Sequence, residues 1–292
     1  MYSYYFRIAD LLICIHTPIV FNKFYELDHY RIKHINGRKA DIEYKVCFFN
    51  EEWKVHGRKV QEVRRTCVYE TEDSFLKYYF WSVHTNEKFV ILEQKKGEYH
   101  QFKLYIPYKD IDSLLREFHI SAFLSMERAL LKYSAFQLHA SVISWNGKGI
   151  LFSAPSGTGK STQAEMWKKY ESAVVVNGDR AIIRKQGNKF RAYGSPYAGT
   201  SGVYTNISVP VGAIVILVQG KENHIKRLGG IEAFKKIYSE STICTWDQMF
   251  IEKYMDLLGE LIRDVSVYYL SCRPEKRAVE LLKEWLLSES GI

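Results

Sequence analysis

Chemistry is concentrated in one stretch of the chain, Ala154-Pro155-Ser156-Gly157-Thr158-Gly159-Lys160-Ser161-Thr162. It follows the apolar run Gly149-Ile150-Leu151-Phe152 and opens a segment of helical composition, Gln163 to Lys169. The spacing therefore predicts a strand, a glycine-rich turn and a helix, the order that a phosphate-binding loop requires. Gly157 and Gly159 can take positive φ and turn successive backbone N–H groups inward around phosphate oxygens. The helix adds its unpaired N–H groups and the positive end of its dipole. Lys160 then reaches the β- and γ-phosphates, and the hydroxyl of Ser161, with Thr162 beside it, is placed to ligate Mg²⁺. The usual pattern begins with glycine where this chain has Ala154. That position is the furthest from the lysine, so the cradle from Ser156 to Thr162 is complete and reads as a nucleotide site.

Two further groups belong with this loop. The run Ala173-Val174-Val175-Val176 leads into Asn177-Gly178-Asp179-Arg180, and Asp179 stands nineteen residues after Lys160. That leaves room for one helix and a return strand, and a parallel strand ending in a carboxylate is what a Mg²⁺-associated aspartate looks like. A simple turn aspartate is the bland alternative. His139 lies in Phe136 to Ile143, a strand-like run joined to the loop-feeding strand by the Asn146-Gly147 turn. A regular hairpin brings it near the nucleotide, although a lone histidine is more often a packed residue.

The elements that must position these groups follow from the rest of the chain. At 292 residues, 47% hydrophobic and 25% charged, it can bury a large core in one or two domains. No apolar run approaches the roughly 18 residues of a membrane span, and the N-terminus lacks the features of a secretory signal. Five scattered cysteines, Cys14, Cys47, Cys67, Cys244 and Cys272, form no CxxC pair. They read as reduced thiols of a cytoplasmic protein, with neither a disulfide framework nor a zinc site. The net charge is +8, and residues 137–227 account for it with twelve Lys/Arg against four Asp/Glu. A positive field centred on the loop suits a triphosphate, and carries no argument for nucleic acid.

Residues 1–107 alternate in the manner of short strands: 4–8, 11–15, 44–49, 78–83, 88–92 and 101–106, separated by turn signals such as Asn36-Gly37 and Lys96-Gly97. The expectation is an antiparallel domain without a catalytic constellation, since His16, His29, His34, His56 and His84 fall at no metal-ligand spacing. Residues 109–134 switch to helical period, through Ile111, Leu114, Leu115 and Phe118 and then Phe123 to Leu131. Beyond Asp179, strands are expected at 181–184 and 189–193, then a polar loop at 194–202 of the kind that closes over substrates. A buried strand at 209–218 follows, with helices at 229–265 and 274–287, the last with Pro274 in its first turn. The domain division is 1–135, β-rich with joining helices, and 136–292.

The blocks LHASVI…GKGILFSAPSGTGKST, VVVNGDR, YGSPYAG and VYYLSCRPEKRAVELL, over residues 136–290, resemble the HPr kinase/phosphorylase-like proteins. These belong to the P-loop branch related to phosphoenolpyruvate carboxykinase. The N-terminal half is similar to the β-rich leader of HPr-kinase-like proteins associated with modified-peptide gene clusters. The resemblance implies an α+β or α/β chain whose second half is a P-loop core with a mixed, strongly bent sheet. It also implies ATP- and Mg²⁺-dependent phosphorylation of a serine hydroxyl. By position, Ser156, Gly157, Thr158, Gly159 and Lys160 hold the ATP phosphates, Ser161 holds the metal, and His139 is the family histidine near the transferred phosphate. The family pattern has two adjacent aspartates, for metal and for base, where this chain has Gly178-Asp179. Asp179 takes the place of the base, with a metal role left open, Asn177 a weak substitute ligand, and Arg180 either neutralising transition-state charge or pairing with a carboxylate. The expected acceptor is a serine-containing peptide or small protein, with no nucleic acid and no membrane as partner, and a homo-oligomer is compatible with the family. Free serine as acceptor, or a non-catalytic nucleotide-sensing module, are the alternatives.

Overall fold

Period-two burial runs through β1 (Tyr2–Ile8), where Tyr4, Phe6 and Ile8 are buried and Tyr5 and Arg7 are not, whereas β2 (Leu11–Thr17) is buried on both faces from Leu11 to Ile15. A computed structural model describes residues 1–50, 53–80, 89–111 and 120–289, and divides the chain into two units, Met1–Lys132 and Tyr133–Ile292.

The first unit holds a nine-stranded sheet in the order β3-β1-β2-β4-β9-β8-β7-β6-β5. The remaining strands are β3 (Arg31–Ile32), β4 (Ile42–Phe49), β5 (Arg58–Val63), β6 (Thr66–Glu70), β7 (Ser74–Phe80), β8 (Phe89–Lys95) and β9 (Gln101–Pro107). It is not purely antiparallel as the alternation suggested, because β4 runs parallel to both β2 and β9. After β2 the chain crosses to the far edge, where β3 pairs with β1, and re-enters on the other side in the original direction. After β4 it jumps to the opposite edge and returns through antiparallel neighbours β5 to β9. Tyr44 and Phe102 stack across the β4–β9 pair with ring centroids 5.0 Å apart.

The helical expectation over 109–134 is only partly met. Residues 112–119, with Leu114, Leu115 and Phe118, lie outside the described residues, as do His84 and the end of the 78–83 run. Among those described, the chain forms 3-10 turns at Tyr108–Asp110 and Ile120–Phe123 and one short helix, α1 (Glu127–Lys132). Phe123, Leu124 and Met126 are buried as their spacing implied, but without a helix. Ser125 breaks the run by donating to the Glu127 carboxylate and accepting from Lys77.

The second unit is a mixed sheet that bends because two long strands are shared. The first half of β10 (Ala135–Trp145) pairs with β13 (Arg180–Gln186), and its second half pairs with β11 (Lys148–Ser153) and β12 (Val174–Asn177). Likewise β15 (Ser208–Gln219) starts against β14 (Lys189–Tyr193) and then runs parallel to β11 and to β17 (Ser266–Cys272). The edge strand β16 (His224–Arg227), absent from the sequence reading, completes an eight-stranded assembly. The run at 174–177 was expected to be a parallel strand, but β12 is antiparallel to its neighbour. It does run in the direction of β11, with β10 intervening between them.

Helix α2 (Lys160–Glu171) is fastened by Trp167, wholly buried and edge-on to Trp145 at 5.1 Å. The single helical stretch expected at 229–265 is two helices, α3 (Gly230–Glu240) and α4 (Gln248–Asp264). Asp247 caps α4 by accepting from the Phe250 N–H. Pro274 precedes α5 (Lys276–Glu289) rather than lying in its first turn. All five cysteines are free thiols. No helix among the described residues is long and apolar enough to cross a membrane.

Candidate functional site

The site forms where β10 changes partners. His139 is the last β10 residue paired with β13, opposite Arg180, and Ala140 is the first paired with β11, opposite Ser153. The histidine therefore sits between the strand end that delivers the glycine-rich loop and the turn that carries Asp179. Ser153 ties the two together, its hydroxyl donating to the His139 carbonyl at 3.0 Å.

The loop has the expected strand–turn–helix context. Gly157 and Gly159 take φ of +80° and +109°, and a Cβ at either would meet nothing within 4 Å, so their backbone faces open space. Lys160 opens α2 and is 6% exposed. Its ammonium donates to the carbonyls of Ala154 at 2.7 Å and Pro155 at 3.2 Å. Burial pushes its pKa down, opposed by the fields of Asp179 and Glu240. Ser156, Gly157, Ser161 and Thr162 are exposed, with Thr158 partly covered. Gln219, at the end of β15, donates to the Gly157 carbonyl at 3.2 Å and holds the loop from the other side.

Asp179 and His139 are brought into direct contact. His139 Nε2 lies 3.1 Å from Asp179 Oδ1, and Nδ1 lies 3.1 Å from Glu240 Oε2. An imidazole bracketed by two carboxylates can donate to both only when both nitrogens carry protons. The Asp179 carboxyl is held below the ordinary range, chiefly by the hydrogen bond from His139, with Arg180 and Lys160 adding to it against burial. Arg180 is the looser member. Its Nε is 3.8 Å from Asp179 Oδ2, and it also donates to Thr242 at 3.0 Å.

The aspartate is positioned by Asn177, whose Oδ1 accepts from the Asp179 N–H at 3.2 Å and whose Nδ2 donates to the Ser195 carbonyl at 3.1 Å. Asn177 is fully buried, and both ends of its amide are engaged in these bonds. The polar segment 194–202 is not an open lid. Ser195 and Ala198 are buried, Gly178 N–H donates to Val203 O at 3.0 Å, and Arg180 N–H donates to Tyr197 O at 3.2 Å. A Cβ on Gly178 would lie 1.7 Å from Ser201 Oγ, so this segment fills the space that a side chain at 178 needs. A Cβ on Gly199, at φ +55°, would lie 2.8 Å from Asp179 Cγ. The absence of a second aspartate is thus built into the packing.

Glu240 was missed in the sequence. The segment after α3 adds a short bridge to β10, Leu138 to Ser241, with Thr242 N–H donating to Gln137 O at 3.0 Å, and this carries Glu240 to His139. A carboxylate in the last turn of a helix opposes the helix dipole, and that misfit was the one sign available. Among the described residues no three His, Cys, Asp or Glu side chains converge as a metal cluster. Mg²⁺ needs no such cage, because one or two oxygen ligands plus substrate phosphates and water suffice.

Beside the loop lies a cavity of about 530 Å³, walled by Ala154 to Thr158, the end of β15 and the last turns of α3. Fold and site together define an α/β protein with a mixed, bent sheet, in which a glycine-rich loop opens a helix beside a carboxylate–histidine–carboxylate array. Residues 114–265, just over half the chain, match the family of the SynChlorMet cassette protein ScmC, and the chain belongs to that family. Among solved structures, the Hpr(Ser) kinase/phosphatase from Coxiella burnetii is similar over 52% of this chain and 93% of that one, at 12% identity and a TM-score of 0.30. No curated protein matches the chain.

Proposed function

We propose that this protein transfers the γ-phosphate of ATP, with Mg²⁺, to a serine hydroxyl of a peptide or small protein. The observation that carries the reading is the Asp179–His139–Glu240 array, 3.1 Å at each link, set at the strand end that delivers Lys160. The residues fit a nucleotide. Two glycines of positive φ leave a cradle without Cβ atoms, and the buried Lys160 ammonium is satisfied only by carbonyls of its own loop. ATP supplies the phosphoryl group and Mg²⁺ neutralises charge on its oxygens. Ser156 to Lys160 would hold the phosphates through N–H groups and the lysine, and Ser161 with Asp179 would hold the metal.

Asp179 is ionised at neutral pH and would take the proton of the acceptor hydroxyl as that oxygen bonds to the γ-phosphorus and the bond to the bridging oxygen breaks, releasing ADP. A carboxylate of depressed pKa serves because the proton leaves late in a loose transition state. His139 orients the carboxylate, and Glu240 fixes the ring. Arg180, half in solvent, adds positive charge at the acceptor side.

The test is incubation with γ-labelled ATP and Mg²⁺ against free serine, serine-containing peptides and an HPr-type protein. Label is expected on an acceptor with the unmodified chain and none with Lys160→Ala. Asp179→Asn should bind ATP as before and transfer nothing, and transfer by that variant would remove Asp179 from its role. Free serine as sole acceptor would point to a small-molecule kinase. A nucleotide-sensing module is favoured by one observation, the Ser201 side chain in the space of a second aspartate, and binding of ATP without transfer to any acceptor is its signature.

A further inference from the structure

One wall of the cavity beside the glycine-rich loop presents an electrostatic problem for an anionic ligand. It is made by the C-terminal turns of α3, which carry the negative end of the helix dipole and the carboxylate of Glu240. Glu240 lines this cavity and also holds His139, so the cavity shares that residue with the carboxylate–histidine array. One turn earlier on the same helix face, about 6 Å along the axis, is Lys236. It lines the cavity too, whereas its neighbour Lys235 does not.

A lysine four residues before a glutamate on a helix lies within reach of it, although this order is the weaker of the two. Here Glu240 is turned to His139, and the Lys236 ammonium has no hydrogen-bond or ion-pair partner among the described residues. At the other end of the helix the charges are paired, since Glu232 meets Lys226 of β16 at 3.3 Å. An exposed cation without a partner among the described residues, lining the same cavity as a loop shaped for phosphate and set beside the negative end of α3, has a specific use. We infer that Lys236 is a second phosphate-binding cation, in addition to Lys160, that contacts the terminal phosphate of a bound nucleoside triphosphate.

The inference rests on the nucleotide reading above and deepens it, and it predicts selectivity between a triphosphate and a diphosphate. Titration calorimetry on the full chain with ATP and with ADP, each with Mg²⁺, tests it with Lys236→Ala, Lys236→Arg and Lys160→Ala. A charge-assisted contact of this kind is worth roughly 10- to 100-fold in affinity. Lys236→Ala should lose about that much for ATP while its ADP affinity stays within about twofold, and Lys236→Arg should keep most ATP affinity. Unchanged ATP affinity in Lys236→Ala, or equal losses for ATP and ADP, would overturn the assignment and leave the nucleotide site standing. An unmodified chain that binds neither nucleotide would overturn both.

Discussion

Substituting Gly178 by alanine tests whether the segment at 194–202 is a fixed wall of the site. The added Cβ would lie 1.7 Å from Ser201 Oγ and 2.6 Å from Ser201 Cβ, with the Ala198 carbonyl at 3.4 Å. Rotating the hydroxyl away leaves the second clash in place, so the backbone of 198–202 has to move. Overpacking of this kind costs about 1–3 kcal/mol, and the upper half of that range is expected because Gly199 is itself packed on Asp179. At roughly 2–4 °C per kcal/mol for a unit of this size, the melting temperature should fall by about 5–10 °C. Ser201→Gly removes both clashing atoms but loses the bonds to Ala198 O at 2.6 Å and from Val203 N–H at 3.3 Å, a cost of roughly 1–2 kcal/mol. The double variant should then be less destabilised than the two single losses combined, by about 1 kcal/mol or more. Scanning calorimetry on the four proteins reads this directly. A Gly178→Ala protein that melts with the parent, or losses that simply add, would refute the packing argument. Gly178→Asp, which installs the second aspartate, should be destabilised at least as much, and transfer by it should fall rather than rise.

Other expectations follow from the same geometry. Glu240→Gln removes one of the two carboxylates on His139, and should lower turnover about tenfold while leaving ATP affinity within about twofold, which separates orientation from binding. The depressed pKa of Asp179 sets a sign for acid stability. Its contribution is present above the ordinary carboxylate value near 4 and is lost as pH falls through the lower folded value. The stability gap between the parent and Asp179→Asn should therefore be largest near neutrality and close below about pH 4, and a gap that widens on acidification would contradict it. Gln219→Ala should loosen the hold on Gly157, weakening nucleotide binding about threefold with little change in melting temperature, because that bond is solvent-exposed.

The local chemistry was legible in the sequence because it is local. Gly157, Gly159, Lys160 and the apolar flanks are contiguous, and strand, turn and helix follow from residue types within about twenty positions. The hairpin that holds His139 was legible for the same reason, since Asn146-Gly147 sets the turn and its register. The change of partner at His139 was not, because it depends on where β13 begins, about forty residues later. Parallel pairing of β4 with β2 and β9 was equally hidden, since alternation reports which face is buried and not which strand lies alongside. Glu240 reached the site only through the bridge between Ser241 and Leu138, a contact over about a hundred residues with no sequence period of its own. Gly178 shows the division most plainly. The sequence determined that a glycine precedes Asp179, and only the tertiary structure decided what stands where a side chain at 178 would go, because the Ser201 side chain is brought there by a loop whose packing no local pattern encodes.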